Sequence, residues 1–145
     1  MSKTSIIAAV DLEHEESDRH VAAEAIALAQ SHDADLHLVF VIPDQHHSYV
    51  QQYVPKEMKE QVSKDAKSEL DAFAGTLNEG EIVLKTHIRR GTVYNEIINL
   101  SDKIGADFVV VGSNKPGLSD LFIGPNAARV ARHAQCSVLV VRPTR

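Results

Sequence analysis

The chain has 145 residues, of which 43% are hydrophobic and 24% are charged, and these values predict one globular domain with a sizeable core. Its formal net charge of −5 argues against a nucleic-acid partner, because nucleic-acid binding needs a cationic surface. The single cysteine, Cys136, excludes an internal disulfide and fits a reducing compartment.

The polar start of the chain, residues 1–4, leads straight into an apolar run and does not resemble a signal peptide. No apolar run approaches the ~18 residues that a membrane span needs. We therefore expect a soluble cytoplasmic protein that has no membrane contact.

Apolar strand-like runs alternate with helical periodicity along the rest of the chain. The strands are expected at residues 5–12, 35–43, 81–91, 106–112 and 136–143. The helices are expected at residues 17–32, 56–77, 92–104 and 126–134. The second helix has apolar residues at steps of three and four, which predicts a core-facing stripe of Met58, Val62, Ala66, Leu70, Phe73 and Leu77. The acidic segment at residues 11–18 is expected to be a solvated loop and helix start.

Strands that are separated by helices need crossover connections. This order predicts a single domain over residues 1–145, with an α/β fold: a five-stranded, doubly wound, mostly parallel sheet with helices on both faces, Rossmann-like in its architecture. Ligands of such sheets bind beyond the carboxyl ends of the strands, where strand order reverses. The candidate positions are therefore Asp11 after the first strand, Val41 in the second, and Gly112 to Lys115 after the fourth.

Three segments resemble the universal stress protein family: AAVDL (8–12), GADFVVVGSN (105–114) and IGPNAARVARHAQCSVLVVRP (123–143). The resemblance covers essentially the whole chain and is most specific in its C-terminal third. It implies a five-stranded α/β fold and, as in many members of the family, ATP binding. It also implies a homodimer that forms through the last strand, Ser137–Arg142.

The resemblance also assigns roles to individual residues. ATP-binding members have a signature of Gly, two residues, Gly, nine residues, Gly, then Ser or Thr, in which Gly112 is the first glycine and Gly124 the third. Lys115 stands in the place of the second glycine and Pro125 in the place of the Ser or Thr, as in a subgroup with a variant loop. Asp11 is implied as an acceptor for ribose or adenine, and Val41 as an adenine contact. Weaker candidates of the same site line the base or offer donors: Ala9, Val111, Ser113 and Asn114.

The start of the last helix can hold an anion, because its first amides have no intrahelical partner and carry partial positive charge. Pro125 lacks both an amide hydrogen and a hydroxyl, so the amides of Asn126 and Ala127 remain, and Lys115 can add a full charge. Each lost hydrogen bond to a charged group is expected to weaken binding by ~1.5–3 kcal/mol. We therefore expect weakened binding of the terminal phosphate of ATP, with ADP or AMP competing well.

The same residues also have structural interpretations that the sequence leaves open. The glycines can simply make turns, Asp11 can be a turn residue before the first helix, and Val41 can be plain sheet core. Asn114 can be a turn former. The eight histidines show no ligand spacing, so no metal site is expected.

The leading prediction is a dimeric stress-response sensor or regulator that binds an adenine nucleotide, ATP, ADP or AMP, with a magnesium ion that ATP can bring. It would act on a regulatory protein partner that the sequence does not identify. The alternative is a nucleotide-independent dimerisation or adaptor module with a disabled pocket. A dedicated enzyme is not expected, because the chain has no Walker-type Gly-Lys-Ser/Thr motif and no arguable catalytic triad; slow ATP hydrolysis stays open.

Overall fold

The computed structural model describes residues 3–43, 53–113 and 124–142. Within these ranges strands and helices alternate along the chain, as the sequence predicts. The elements are β1 (Ser5–Ala9), α1 (Glu15–His32), β2 (Asp35–Pro43), α2 (Lys56–Gly75), β3 (Leu84–Gly91), α3 (Val93–Ile104), β4 (Phe108–Gly112), α4 (Pro125–His133) and β5 (Ser137–Val141).

The five strands form one parallel sheet in the order β3-β2-β1-β4-β5, which confirms the doubly wound prediction. The chain moves outward from β1 to β3 and then crosses back to β4 and β5 on the other side of β1. The carboxyl ends of β1 and β4 therefore lie side by side where the strand order reverses, with Ala8 opposite Val110. This is the place at which such sheets form a ligand crevice.

Helices cover both faces of the sheet. Side chains of α1 and α2 pack against one face, and those of α3 and α4 pack against the other. Consecutive residues of a strand belong to opposite cores, so Ile6 faces the first core and Ile7 the second. Both side chains have no exposed surface, which explains why the inner strands are apolar without alternation. Within the described residues, none of the helices combines the length and the apolar character needed to cross a bilayer.

The first half of α2 differs from its predicted orientation. Met58 is 57% exposed and Val62 is 44% exposed, so the expectation that they face the core is wrong. The cause is Arg90 of β3, whose guanidinium donates to the carbonyl of Lys59 (3.0 Å) and to the hydroxyl of Ser63 (3.2 Å). Because a polar group from the sheet lies under this half of the helix, the polar side of α2 faces inward there.

A histidine pair joins β2 to β3. The Nδ1 atom of His37 lies 2.8 Å from Nε2 of His87, and the two rings are stacked with centroids 5.0 Å apart. Burial lowers the pKa of both rings, and the charges of His37 and Arg89 lower the pKa of His87 further. When both rings are neutral, the N–H of one ring donates to the unprotonated nitrogen of the other. Within the described ranges, no group of three or more His, Cys, Asp or Glu residues is placed to hold a metal ion.

Candidate functional site

Ser113, which follows β4, and Gly124, which precedes α4, are joined at the carboxyl edge of the sheet. The amide of Ser113 donates to the carbonyl of Val141 at the end of β5 (2.9 Å), and the carbonyl of Ser113 accepts a hydrogen bond from the amide of Gly124. Ser113 is 2% exposed. The start of α4 is therefore fastened to the carboxyl end of β4. Asn114 and Lys115 lie outside the described residues.

The N-terminus of α4 presents two backbone amides at this edge. Gly124 is the N-cap residue and Pro125 occupies the first helical position. The first intrahelical hydrogen bond runs from the amide of Ala128 to the carbonyl of Gly124 (3.0 Å), and no side chain among the described residues caps the helix. The amides of Asn126 and Ala127 precede that bond and can donate to an anion. The amide of Gly124 cannot donate to an anion, because it already donates to the carbonyl of Ser113.

Gly112 is the exposed last residue of β4. Among the described residues, a Cβ atom at this position would meet only the Cγ2 atom of Val21, at an ordinary contact distance of 3.5 Å. The packing of the described residues therefore does not require glycine here. A glycine at the ligand edge of a sheet does allow a ligand to approach the backbone closely.

The apolar candidates lie on the α3/α4 side of the sheet, together with the start of α4. Val41, Val111 and Ala127 are 4–5% exposed and belong to the second core. The interpretation of Val41 as plain sheet core therefore describes this structure well. Ala9, at the end of β1, is only partly buried and offers more surface to a ligand.

Asp11 follows β1 at the same edge, and its carboxylate organises the loop before α1. One oxygen, Oδ1, accepts the amides of Glu13 and His14 (3.0 Å each), and Oδ2 lies 2.9 Å from Nδ1 of His14. Burial raises the pKa of Asp11, but the hydrogen bonds from His14 and from these amides outweigh it, so the net pKa is lowered. Asp11 is thus an ionised turn residue. Since a carboxylate has about four acceptor positions, the three donors among the described residues leave one for a ligand.

Asp18 is the residue of this region that sequence reasoning missed. It is 4% exposed, so the expectation of a solvated acidic segment is wrong at this position. Its carboxylate accepts the amide of Asp11 (3.0 Å) with Oδ1 and the amide of Leu12 (2.8 Å) with Oδ2. Helical spacing could have revealed it, because Asp18 lies three and four residues before Val21 and Ala22, which begin the buried stripe of α1.

Comparison with known proteins agrees with this architecture. The profile of the Universal stress protein family matches residues 4–142. The chain is 34% identical to Universal stress protein G of Escherichia coli O157:H7 over 144 residues, which are 98% of this chain and 100% of that protein. The structure of universal stress protein UspA from Lactobacillus plantarum is similar, with a TM-score of 0.74, 25% identity, and coverage of 98% and 99% of the two chains. A universal stress protein from Archaeoglobus fulgidus, solved in complex with dAMP, has a TM-score of 0.67, 17% identity, and coverage of 98% and 100%.

Proposed function

Since this chain belongs to the universal stress protein family, we propose that it binds an adenine nucleotide at the carboxyl edge of its sheet and acts as a dimeric stress-response sensor or regulator. The proposed role is binding rather than dedicated catalysis. The cytoplasmic location and the regulatory protein partner expected from the sequence stay predictions.

The observation that carries this proposal is the hydrogen bond between Ser113 and Gly124. It holds the N-terminus of α4 at the point where strand order reverses, so the amides of Asn126 and Ala127 and the positive end of the helix dipole lie together at the crevice. With a net charge of −5, the protein as a whole does not attract anions, so these local donors would hold the phosphate.

The choice of an adenine nucleotide as ligand has two supports. The A. fulgidus protein, which has the same fold, was solved in complex with dAMP. In addition, the ionised carboxylate of Asp11 has one acceptor position left, which suits a ribose hydroxyl or an exocyclic amino group. A magnesium ion would come with ATP.

Isothermal titration of the full chain with ATP, ADP and AMP tests the proposal. We expect saturable binding of all three, with ADP and AMP within about tenfold of ATP, because Pro125 weakens the hold on the terminal phosphate. No heat, together with no thermal shift at millimolar nucleotide, would overturn the proposal. A turnover assay with magnesium addresses the enzyme question separately.

Replacing Lys115 with alanine is expected to weaken ATP binding by about tenfold and AMP binding less, because the lysine is assigned to the phosphate tail by the sequence. The control is Lys103→Ala, which removes the same charge from an exposed position in the last turn of α3. Equal losses for ATP and AMP would contradict a phosphate role for Lys115.

We also propose that two copies of the chain pair through β5. This strand lies at one edge of the sheet, and Leu139 in its middle is 37% exposed. An edge strand has a row of unpaired backbone groups, and a two-fold axis beside β5 would pair them and cover Leu139.

Sedimentation analysis of Leu139→Lys tests this interface, because a charge on an edge strand opposes pairing. We expect a dimer for the wild type and a monomer for Leu139→Lys. Val83→Lys is the matched control, since Val83 is 44% exposed and lies outside β5. Dissociation by both variants, or by neither, would count against the β5 interface.

Two observations favour the alternative of a nucleotide-independent adaptor module. The amide of Gly124 is already bonded to Ser113, and the carboxylate of Asp11 already accepts three local donors. A dimer that shows no nucleotide binding in the titration would establish this alternative.

A further inference from the structure

Asp18 is a buried acid that reaches back from the first turn of α1 to the loop between β1 and α1. It is 4% exposed, and each of its two carboxylate oxygens accepts one backbone amide, from Asp11 at 3.0 Å and from Leu12 at 2.8 Å. Hydrogen bonds with an ionised acceptor are among the stronger ones in proteins. The side chain therefore ties the loop to the helix at two consecutive residues.

The loop needs such a tie because its backbone is unusual. Leu12 has a φ of +62°, in the left-handed region that a non-glycine residue rarely adopts. A conformation of this kind persists when the surrounding structure holds it. The amide of Leu12 is bonded to Asp18, so the buried carboxylate holds the strained residue itself.

The same tie determines where Asp11 points. The backbone of Asp11 is bound to Asp18, while its side chain accepts the amides of Glu13 and His14 and contacts the ring of His14. If the backbone of Asp11 moved, its carboxylate and the three hydrogen bonds to that carboxylate would move with it. The remaining acceptor position of the carboxylate would then no longer point in the same direction. Asp18 would therefore act on the proposed ligand only through Asp11, without contacting the ligand itself.

We propose that Asp18 is a positioning residue for the nucleotide site, since its buried carboxylate holds the β1–α1 loop in the conformation that presents Asp11. This inference rests on the proposed function for the nucleotide, but the part that concerns the loop can be tested without any ligand.

The inference has a pH-dependent consequence. Burial raises the pKa of Asp18 to about 6; the charge of Asp11 and a side-chain hydrogen bond with Asp11 raise it further, while the amides of Asp11 and Leu12 lower it. Protonation would turn one of the two accepting oxygens into a hydroxyl, which would weaken one of the two backbone ties and donate to the carboxylate of Asp11 instead. Because the usual value is 3.8, the folded chain takes up this proton more readily than the unfolded chain, and the contribution of Asp18 to stability rises as the pH falls from 6 towards 4. Loop order and nucleotide affinity would fall over the same range.

Among the residues that the structure describes, few charged groups act on Asp18. Asp11 acts on it from the loop, and His14, whose own pKa is raised by Asp11, also interacts with Asp18. The residues of β1, β4 and β5 that share the first core with α1 are apolar: Ile6, Ala8, Val10, Val110 and Val141. The residue after Val141 is Arg142, which adds a cation at the end of β5.

The test uses the full chain with Asp18→Asn and the control Glu16→Gln. The control removes one negative charge from an exposed position in the same first turn of α1. NMR follows the amide shifts of Asp11 and Leu12 from about pH 7.5 to pH 5, and calorimetry measures ATP binding at about pH 7.5 and pH 5.5.

For the wild type and for Glu16→Gln we expect both amides to titrate with a midpoint near 6. Their ATP affinity should fall by about threefold between the two pH values, beyond any change seen in Asp18→Asn, since the protonated fraction would bind about tenfold more weakly, as that variant does. Asp18→Asn should lose the component of the amide titration near 6 and keep only a change that follows the ring of His14. It should bind ATP about tenfold more weakly at the higher pH, because an amide side chain can accept only one of the two bonds.

The possible failures are distinguishable. If the amide shifts do not titrate, or if Asp18→Asn binds ATP as Glu16→Gln does, the positioning role is wrong while the proposed function stands. If the amides titrate but the wild type binds no nucleotide at any pH, the proposed function is wrong, and the nucleotide role of Asp18 is wrong with it. If Asp18→Asn does not fold, the amide titration of the wild type decides: a midpoint near 6 supports the inference, and a midpoint that coincides with the titration of the His14 ring overturns it.

Discussion

Replacing Leu70 with alanine is expected to lower the free energy of unfolding by about 2–5 kcal/mol. Leu70 has no exposed surface and belongs to the first core, where it brings α2 onto the sheet. Its truncation removes apolar contacts and leaves a cavity that the surrounding side chains fill only partly. Urea unfolding followed by circular dichroism measures the change.

The control for Leu70→Ala is Met58→Ala on the same helix. Met58 was expected from the sequence to face the core but is 57% exposed, so its truncation should change the unfolding free energy by about 0.5 kcal/mol or less. Similar losses at the two positions would show that the first half of α2 packs on the sheet as the periodicity alone predicts.

Replacing Pro125 with serine is expected to tighten ATP binding by about tenfold to a hundredfold. Pro125 occupies the first helical position of α4, where it offers neither an amide hydrogen nor a hydroxyl. Serine supplies both, beside the amides of Asn126 and Ala127. One hydrogen bond to a charged group contributes ~1.5–3 kcal/mol, which corresponds to the lower and upper ends of the expected gain.

Pro125→Ala separates the two groups, because alanine restores the amide but not the hydroxyl. A gain with serine alone would assign the effect to the hydroxyl, and equal gains would assign it to the amide. Since proline is favourable at the first helical position, the stability of both variants should be measured alongside calorimetric binding of ATP and AMP. If neither variant gains affinity for ATP, the start of α4 does not hold its phosphates.

The fold was predictable from local patterns. Inner strands that are buried on both faces appear as continuous apolar runs, and helices appear through their 3.6-residue period, so the order of elements follows directly from the chain. The bounds of β2, residues 35–43, agree with the prediction, because an acidic residue and a proline delimit the apolar run. The strand at residues 81–91 begins later, at Leu84.

The site was predictable only in outline. The rule for doubly wound sheets selects the loops after β1 and β4, and the structure places Asp11, Gly112 and Ser113 at that edge. The bond that fastens Gly124 to Ser113, and the engagement of the Asp11 carboxylate by its own loop, depend on loop conformation rather than on periodicity.

The amino-acid sequence by itself determined the class of fold and the order of its elements, and it selected the sheet edge that forms the candidate site. These properties follow from the spacing of apolar residues and from chain connectivity, both of which are local. Three contacts were decided only by the tertiary structure. Arg90 donates to the first half of α2, His37 is hydrogen-bonded to His87, and the carboxylate of Asp18 binds the loop that contains Asp11. Polar groups acquire partners through the way distant segments pack, and a buried polar group without a partner is costly, so these contacts depend on the folded chain as a whole.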